Sequence, residues 1–198
     1  MAIPRLILAS ASPARLKTLR GAGLDPEVKV SGVDESKVEI TGPADYTLKL
    51  AQMKAVAVAA HERGALVIGC DSVLALDGEI LGKPTSEADA IERWQRMRGR
   101  SGVLHTGHCV IDTHCEVWLG RSAATQVRFA HVTDEEIEAY VATGEPSAVA
   151  GAFTLDGLGG AFVSGVTGDP HNVVGISLPL VRLMFDELGF VWTDFWRP

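Results

Sequence analysis

The stretch LASASPAR, from Leu8 to Arg15, joins an apolar segment to a segment with helical spacing. Residues 5–9 before the corner are apolar enough for a buried strand, and apolar residues recur on one helix face in residues 15–24. Ser12 is a favourable N-cap, and Pro13 suits the first helical position because its missing N–H would be unpaired there anyway. The stretch therefore predicts a strand, a tight corner and a helix.

The same corner has the composition of an anion-binding site. A helix N-terminus offers unpaired N–H groups and the positive end of the helix dipole. The hydroxyls of Ser10 and Ser12 can add hydrogen bonds, and Arg15 in the first helical turn can add charge. A phosphate would suit such a site, and the alternative is an ordinary capped helix with a solvated arginine.

The composition limits the class of protein. The chain has 198 residues, 46% of them hydrophobic, which is enough to bury the core of one domain spanning 1–198, or of two closely joined lobes. Because no apolar run approaches the about 20 residues of a membrane span and no signal-peptide pattern is present, we expect a cytoplasmic protein without a membrane partner. Three cysteines without paired spacing fit a reducing compartment. The net charge of −7 disfavours a nucleic-acid polymer as partner, whereas a small polyanion needs only a local cluster of cations.

Strands and helices alternate in the first half of the chain, and hairpins follow. The patterns predict further strands at 27–31, 65–70, 102–111 and 117–129, a hairpin at 72–81, and helices at 44–63, 86–99, 133–143 and 178–188. The dipeptide Asp77-Gly78 is typical of a tight hairpin turn, and Thr133 with Glu136 forms a capping box. These elements predict an α/β protein with a mixed sheet.

Asp71 directly follows an apolar strand, a position from which a side chain can project into a ligand cleft. A carboxylate there can bind Mg²⁺ or act as a general base on water. The predicted hairpin places Ser72 opposite Lys83, so we expect Asp71 and Lys83 to be neighbours, with the lysine keeping the carboxylate ionised and contacting phosphate oxygens. The alternatives are an aspartate that caps a turn and a plain surface salt bridge.

Two further charged features are candidates for the same site. Asp34 and Glu35 follow the second predicted strand, and either could give a metal an oxygen ligand. A solvated loop pair is the commoner explanation. Lys54 lies in AQMKAVAVAA, a helical segment so rich in small apolar residues that the lysine needs a partner or a ligand, unless it extends to the surface.

The segment 151–160 allows a close approach of the backbone to a ligand, because half of its residues are glycine or alanine. Asp156 within it can accept hydrogen bonds from a base or a ribose, and a tight structural turn is the alternative. The chain lacks the GxxxxGK[ST] pattern of a P-loop. The GLGG run does not follow the first strand of a βαβ unit, so a dinucleotide fingerprint is not indicated.

Taken together, these motifs resemble the Maf family of nucleoside triphosphate pyrophosphatases over nearly the whole chain. The matching motifs, in order, are LASASPARLKTLRGAGL, VDE at 33–35, LAQMKA around Lys54, IGCDSVLALDGEILGKP at 68–84, HTGH at 105–108, VRFAHVTDEEIEAYVATGEP at 127–146 and GDPHNVVGISLPL at 168–180. The resemblance implies an elongated mixed β-sheet with flanking helices and two lobes around a central cleft, as in inosine-triphosphate pyrophosphatase. It also implies a homodimer.

The resemblance further implies hydrolysis of a nucleoside triphosphate between its α and β phosphates, giving the monophosphate and pyrophosphate, with a divalent cation, Mg²⁺ or Mn²⁺. The family is associated with removal of modified or non-canonical nucleotides and with septum formation and cell-division arrest. Its motifs assign catalysis to Asp71 and Lys83. The other residues carried over are Ser10, Ser12, Arg15 and Lys54 for the substrate, and Glu35 with Asp71 for the metal.

Departures from the family pattern concern the choice of nucleotide. The branch acting on dTTP and UTP has a second arginine, a threonine and a glutamine where this chain has Ala14, Ser72 and Asp156. The acidic residue is closer to the branch acting on 7-methyl-GTP, because a carboxylate can accept hydrogen bonds from a guanine edge. Ala14, however, lacks the bulky aromatic of that branch.

Three functions stay open at this point. The first is the metal-dependent pyrophosphatase. The second is a nucleotide-binding regulator of septum formation that does not turn its ligand over, and the third is a phosphohydrolase that releases orthophosphate. Release of pyrophosphate separates the first from the other two.

Overall fold

The computed structural model describes residues 3–196, and in them seven strands form one sheet. The strands are β1 Arg5–Leu8, β2 Glu27–Val28, β3 Ala65–Leu76, β4 Glu79–Leu81, β5 Ser101–Asp112, β6 Val117–Phe129 and β7 Val163–Thr167. Their order is β2-β1-β3-β5-β6-β7, with β4 paired to β3. β1 is parallel to β2 and β3, and the other pairs are antiparallel. The predicted α/β class with a mixed sheet is therefore confirmed.

Helices cover both faces of this sheet. The described helices are α1 Pro13–Gly21, α2 Pro43–Ala59, α3 Glu87–Met97, α4 Asp134–Ala142, α5 Pro170–Val174 and α6 Leu178–Glu187, and 3₁₀ turns lie at Glu35–Lys37, Glu145–Ala148, Ala150–Ala152, Leu158–Phe162 and Trp192–Phe195. Ala51 and Ala55 of α2 pack on one face of the β1-β3-β5 region. Leu19 of α1 and Val181 of α6 pack on the opposite face. The central strands are thus buried on both sides, as their apolar sequences require.

Small residues let α2 lie unusually close to the sheet. A Cβ at Gly69 would collide with the backbone of α2 at Ala51, and a Cβ at Gly107 would collide with the carbonyl of Thr47. These two strand glycines are therefore needed for the close approach rather than for their backbone freedom. The consequence for the site is that Lys54 is carried directly over β3.

A second core fills the other half of the molecule, beneath α3 and α4. The indole ring of Trp94 is fully buried there and meets Phe129 and Tyr140 edge-on, with ring centroids 5.7 and 5.5 Å apart. Its Nε1 donates a hydrogen bond to the carbonyl of Ala152, 2.7 Å away. This core is separate from the two apolar clusters that pack against β1. The apolar interior is therefore divided between two lobes, as expected from the sequence.

The local predictions hold where backbone preferences are strong. Ser12 caps α1 by accepting from the N–H of Arg15, and the predicted capping box opens α4. Asp77 and Gly78 both have positive φ, 52° and 82°, as a type I′ hairpin turn requires.

Other boundaries differ from the predictions. The strand predicted at 65–70 and the first strand of the hairpin predicted at 72–81 are one continuous strand, β3, and the second strand of the hairpin is β4, of three residues. Helix α2 ends at Ala59 rather than near residue 63, and β2 has only two residues. The elements β7 and α5 lie in the glycine-rich last third, where no regular period was present to predict them.

Candidate active site

A cleft of about 820 Å³ opens between the two lobes. It is bordered by the corner after β1, by the middle of β3, by α2, and by the segment 148–156. All the residues carried over from the family motifs, together with Asp156, line this one cleft: Ser10, Ser12, Arg15, Glu35, Lys54, Asp71, Lys83 and Asp156. Asp34 does not line it. The fold therefore brings together residues that are up to 146 positions apart in the chain, from Ser10 to Asp156.

Lys54 links two carboxylates at the floor of the cleft. Its Nζ lies 2.7 Å from Oε1 of Glu35 and also forms an ion pair with Oδ1 of Asp71. The Lys54 and Asp71 side chains are only 12% and 13% exposed, whereas Glu35 is half exposed. The expectation that this helix lysine has a partner is confirmed. It holds both carboxylates around one point.

The two acidic residues after β2, Asp34 and Glu35, have different partners. Glu35 reaches Lys54, but Asp34 turns away and caps the 3₁₀ turn by accepting from the backbone N–H of Ser36 at 3.2 Å and from its hydroxyl at 2.6 Å. The Ser36 hydrogen bonds, followed by Lys37, hold the pKa of Asp34 below its usual range. Of the two acidic residues, Glu35 is the one positioned to act in the cleft.

The carboxylates at the floor of the cleft affect the pKa of a neighbouring tyrosine. Tyr46 lines the cleft. Its pKa is raised by burial first, and then by the charges of Asp71 and Glu35. At this phenol the two carboxylates of the floor thus outweigh the opposing charge of Lys54.

Lys83 does not form the predicted ion pair with Asp71. Pairing between β3 and β4 ends at Leu81, opposite Leu74, before the register reaches Ser72 and Lys83. The partner of Asp71 is Lys54 instead. Within residues 3–196, Lys83 makes no hydrogen bond or ion pair, and it lines the cleft. Its charge is available to a ligand.

The guanidinium of Arg15 forms most of its hydrogen bonds with the protein itself. The guanidinium donates to the carbonyls of Gly175 at 2.7 Å and Cys70 at 3.0 Å, and to the hydroxyls of Ser10 and Ser72 at 3.0 Å each. Four of its five N–H donors are therefore used by the protein. The alternative of a solvated arginine is therefore wrong, and a single N–H donor of Arg15 is left for phosphate.

A buried polar network continues behind Arg15. The Ser72 and Thr106 hydroxyls are 2.9 Å apart, and Thr106 donates to the backbone carbonyl of Asn172 at 3.2 Å. Asn172 in turn donates to the carbonyl of Leu104 and the hydroxyl of Thr125. Sequence reasoning missed Asn172, because nothing in its local pattern shows that α5 packs against β5 and β6.

His108 supports the same region as a neutral ring. Its Nε2 accepts a hydrogen bond from the backbone N–H of Ser177 at 2.8 Å. Burial, and next the charge of Arg15, lower the pKa of His108 to about 4. The ring is therefore uncharged at neutral pH and helps to cap α6.

Glu145 is the second residue that sequence reasoning missed. Its carboxylate accepts four hydrogen bonds, from the Tyr140 hydroxyl at 2.9 Å, the Thr154 hydroxyl at 2.5 Å, and the backbone N–H groups of Leu158 at 3.1 Å and Gly159 at 3.0 Å. Burial alone would raise the pKa of Glu145, but these donors together lower it. The segment that lines the cleft is thus folded around one carboxylate.

Asp156 lies in that segment at the edge of the cleft. It forms an exposed ion pair with Lys17 of α1, with 3.3 Å between Nζ and Oδ2, which joins the two sides of the cleft. Because Lys17 is 74% exposed, we assign the pair little energy. The carboxylate of Asp156 is accessible to a ligand.

The described residues set limits on two other features. Between residues 3 and 196, no group of three or more His, Cys, Asp or Glu side chains is arranged to hold a metal ion by itself. None of the helices in that range combines the length and the apolar composition that a bilayer span requires.

The fold and the cleft define an α/β protein that presents cations and carboxylates to a small anionic ligand. The family model described as Maf-like protein matches residues 5–188. A protein of Streptomyces avermitilis named nucleoside triphosphate pyrophosphatase is 58% identical over 98% of this chain and 95% of its own length. One of the same name from Nostoc punctiforme is 48% identical over the full length of both chains. The chain belongs to the Maf family, as its motifs predicted.

Solved structures include more distant matches. The Ham1 protein of Staphylococcus aureus superposes with a TM-score of 0.44 and 18% sequence identity, over 64% of this chain and 72% of that one.

Proposed function

We propose that this chain is a metal-dependent nucleoside triphosphate pyrophosphatase that cleaves the α–β phosphoanhydride bond to give the monophosphate and pyrophosphate. The observation that carries the proposal is the grouping of Glu35, Lys54 and Asp71 in one cleft with Lys83, which pairs with none of the described residues. The name that the relatives from Streptomyces avermitilis and Nostoc punctiforme bear supports the same activity.

The triphosphate binds between the corner after β1 and Lys83. The N-terminal turn of α1 and the hydroxyls of Ser10 and Ser12 supply neutral donors, as helix N-termini do for phosphate elsewhere. Lys83 supplies a full positive charge, and the remaining N–H of Arg15 adds a charged donor. Such preplaced donors lower the energy of the charge that develops on the leaving pyrophosphate.

The residues of the floor fit a divalent cation. The ammonium group of Lys54 contacts Oε1 of Glu35 and Oδ1 of Asp71, which leaves the second oxygen of each carboxylate for the ion. Mg²⁺ is usually held by one or two carboxylates together with substrate phosphates, and this donor set offers two. Glu35 and Asp71 would hold the ion. When bound, it neutralises phosphate charge and polarises a phosphoryl oxygen.

Asp71 acts as the general base for hydrolysis. Its Oδ1 is held by Lys54, which fixes the orientation of the carboxylate. A water molecule loses a proton to Asp71 while its oxygen bonds to a phosphorus of the α–β bridge. The bond from that phosphorus to the bridging oxygen breaks, and the bridging oxygen leaves with its electron pair. Lys54 keeps the carboxylate in place throughout.

The test is product analysis with the purified protein, Mg²⁺ or Mn²⁺, and a panel of dTTP, UTP, CTP, GTP, ITP and 7-methyl-GTP. We expect monophosphate and pyrophosphate in equal amounts from at least one nucleotide. Orthophosphate as the first product would assign another phosphohydrolase. Saturable binding without any product would assign the non-catalytic regulator.

The remaining parts of the proposal have separate support. Asp156 favours a guanine-type base, because its carboxylate can accept hydrogen bonds from the N–H groups of that base. A cytoplasmic location is supported by the free thiols of Cys70, Cys109 and Cys115. The single domain spanning 1–198, the homodimer and the link to septum formation rest on the family resemblance.

A further inference from the structure

We propose that the ion pair between Asp89 and Arg93 positions Lys83 for the reaction, by holding the backbone on both sides of this lysine. The inference rests on the proposed function, because it assigns Lys83 to the substrate. Neither Asp89 nor Arg93 touches the substrate site itself, so both are positioning residues.

Asp89 and Arg93 form a bidentate ion pair, called the fork below, on the first turns of α3. Nε of Arg93 lies 2.7 Å from Oδ1 of Asp89, and its second terminal nitrogen lies 2.9 Å from Oδ2. The side chain of Arg93 is only 13% exposed. Two parallel N–H···O bonds fix the relative orientation of both groups, which a lysine in place of the arginine could not do.

This fork holds the chain immediately before and shortly after Lys83. The remaining terminal nitrogen of Arg93 donates to the carbonyl of Gly82 at 2.8 Å. The carboxylate of Asp89 accepts from the backbone N–H of Thr85 at 2.7 Å and from its hydroxyl at 3.1 Å. The Thr85 hydrogen bond and then Arg93 hold the pKa of Asp89 below its usual range, so the fork stays charged at neutral pH.

Lys83 depends on this backbone support because its side chain has no other anchor. Its ammonium forms no ion pair or hydrogen bond with any residue from 3 to 196. The region that the charge can reach is therefore limited by the backbone from Gly82 to Thr85, where Pro84 adds a fixed φ. The Gly82 carbonyl also accepts from the N–H of Gly151 at 3.0 Å, which ties this backbone to the segment that carries Asp156.

Loss of the fork should leave Lys83 present but less well placed. A cation that must be ordered during the reaction stabilises the transition state less than one that is already in position. We therefore expect Arg93→Met to lower kcat about tenfold with a smaller rise in KM, because misplacement by about 1 Å can cost that much or more. The substrate used is the nucleotide of the panel with the fastest turnover.

Arg96→Met is the matched control. Arg96 lies on the same helix and forms an ion pair with Glu79 at 2.6 Å, but it contacts neither Gly82 nor Thr85. We expect its kcat to stay within about twofold of the starting protein. Thermal unfolding of both variants shows whether either change has a general effect on stability.

The decisive measurement is a double-mutant cycle with Lys83→Met. If Arg93 acts through Lys83, Arg93→Met lowers kcat about tenfold in the original protein and has almost no effect in the Lys83→Met background. An equal loss in both backgrounds overturns the proposal, as does a kcat for Arg93→Met equal to that of the original protein.

A second cycle uses affinity for inorganic tripolyphosphate, measured by calorimetry, and needs no turnover. We expect Arg93→Met to weaken this binding severalfold only while Lys83 is present. Absence of pyrophosphate from every nucleotide would refute the proposed function, whereas an additive binding cycle would refute the positioning by Arg93. The two failures are therefore distinguishable.

Discussion

Replacing Glu145 by glutamine tests whether one carboxylate shapes the ligand-binding segment. Glutamine has nearly the same size, but it presents one carbonyl oxygen and one NH₂ donor in place of two acceptor oxygens. The carboxylate accepts from the backbone N–H of Gly159 on Oε1 and from that of Leu158 on Oε2. In either orientation of the amide, one of these N–H groups faces a donor.

The expected cost follows from that lost acceptor. An unsatisfied donor costs about 1–3 kcal/mol when it is buried. Because Glu145 is half-buried and Leu158 is exposed, water can partly replace the acceptor, and we expect a loss of about 1 kcal/mol in the free energy of unfolding. The segment that carries Asp156 should also become less ordered, so KM should rise more than kcat falls.

The pH dependence gives an independent check on the same group. The donors around Glu145 lower its pKa below the usual 4.5 in the folded state. Its stabilising contribution is therefore fully present above pH 4.5, and it is lost as the pH falls through the folded-state pKa. Glu145→Gln should flatten the decline in stability below pH 4.5.

Urea unfolding between pH 3 and 7, together with steady-state kinetics at pH 7, measures these effects. Glu138→Gln is the control, because Glu138 is an exposed carboxylate on α4, the helix that precedes the 3₁₀ turn containing Glu145. Equal stabilities of Glu145→Gln and Glu138→Gln, with unchanged KM in both, would refute the assigned role of Glu145.

Three further outcomes are expected. Asp71→Asn should lower kcat by at least about 100-fold while nucleotide affinity changes little, as loss of a general base predicts; full activity in this variant would remove Asp71 from catalysis. Treatment with a chelator should abolish pyrophosphate release, and added Mg²⁺ or Mn²⁺ should restore it, whereas activity that survives chelation would rule out the metal at Glu35 and Asp71. Asp156→Gln should lower the kcat/KM for 7-methyl-GTP relative to that for UTP by about tenfold, which corresponds to the loss of one good hydrogen bond. An unchanged ratio would show that Asp156 does not contact the base.

Features that depend only on neighbouring residues could be predicted from the amino-acid sequence. The Ser12 cap, the capping box of Thr133 and the turn at Asp77-Gly78 are set by backbone preferences within a few positions, so they were predicted correctly. The ordered motifs also identified the family, and every candidate residue they indicated lines the same cleft.

Which of these residues contact each other depends on the packing of distant segments. Lys54 rather than Lys83 pairs with Asp71, because the β3-β4 ladder stops at Leu81 while small residues bring α2 down onto β3. Arg15 is held by the carbonyl of Gly175, 160 positions away, and therefore has little capacity left for phosphate. Such contacts arise from the packing of distant segments, and no local spacing or propensity along the chain encodes them.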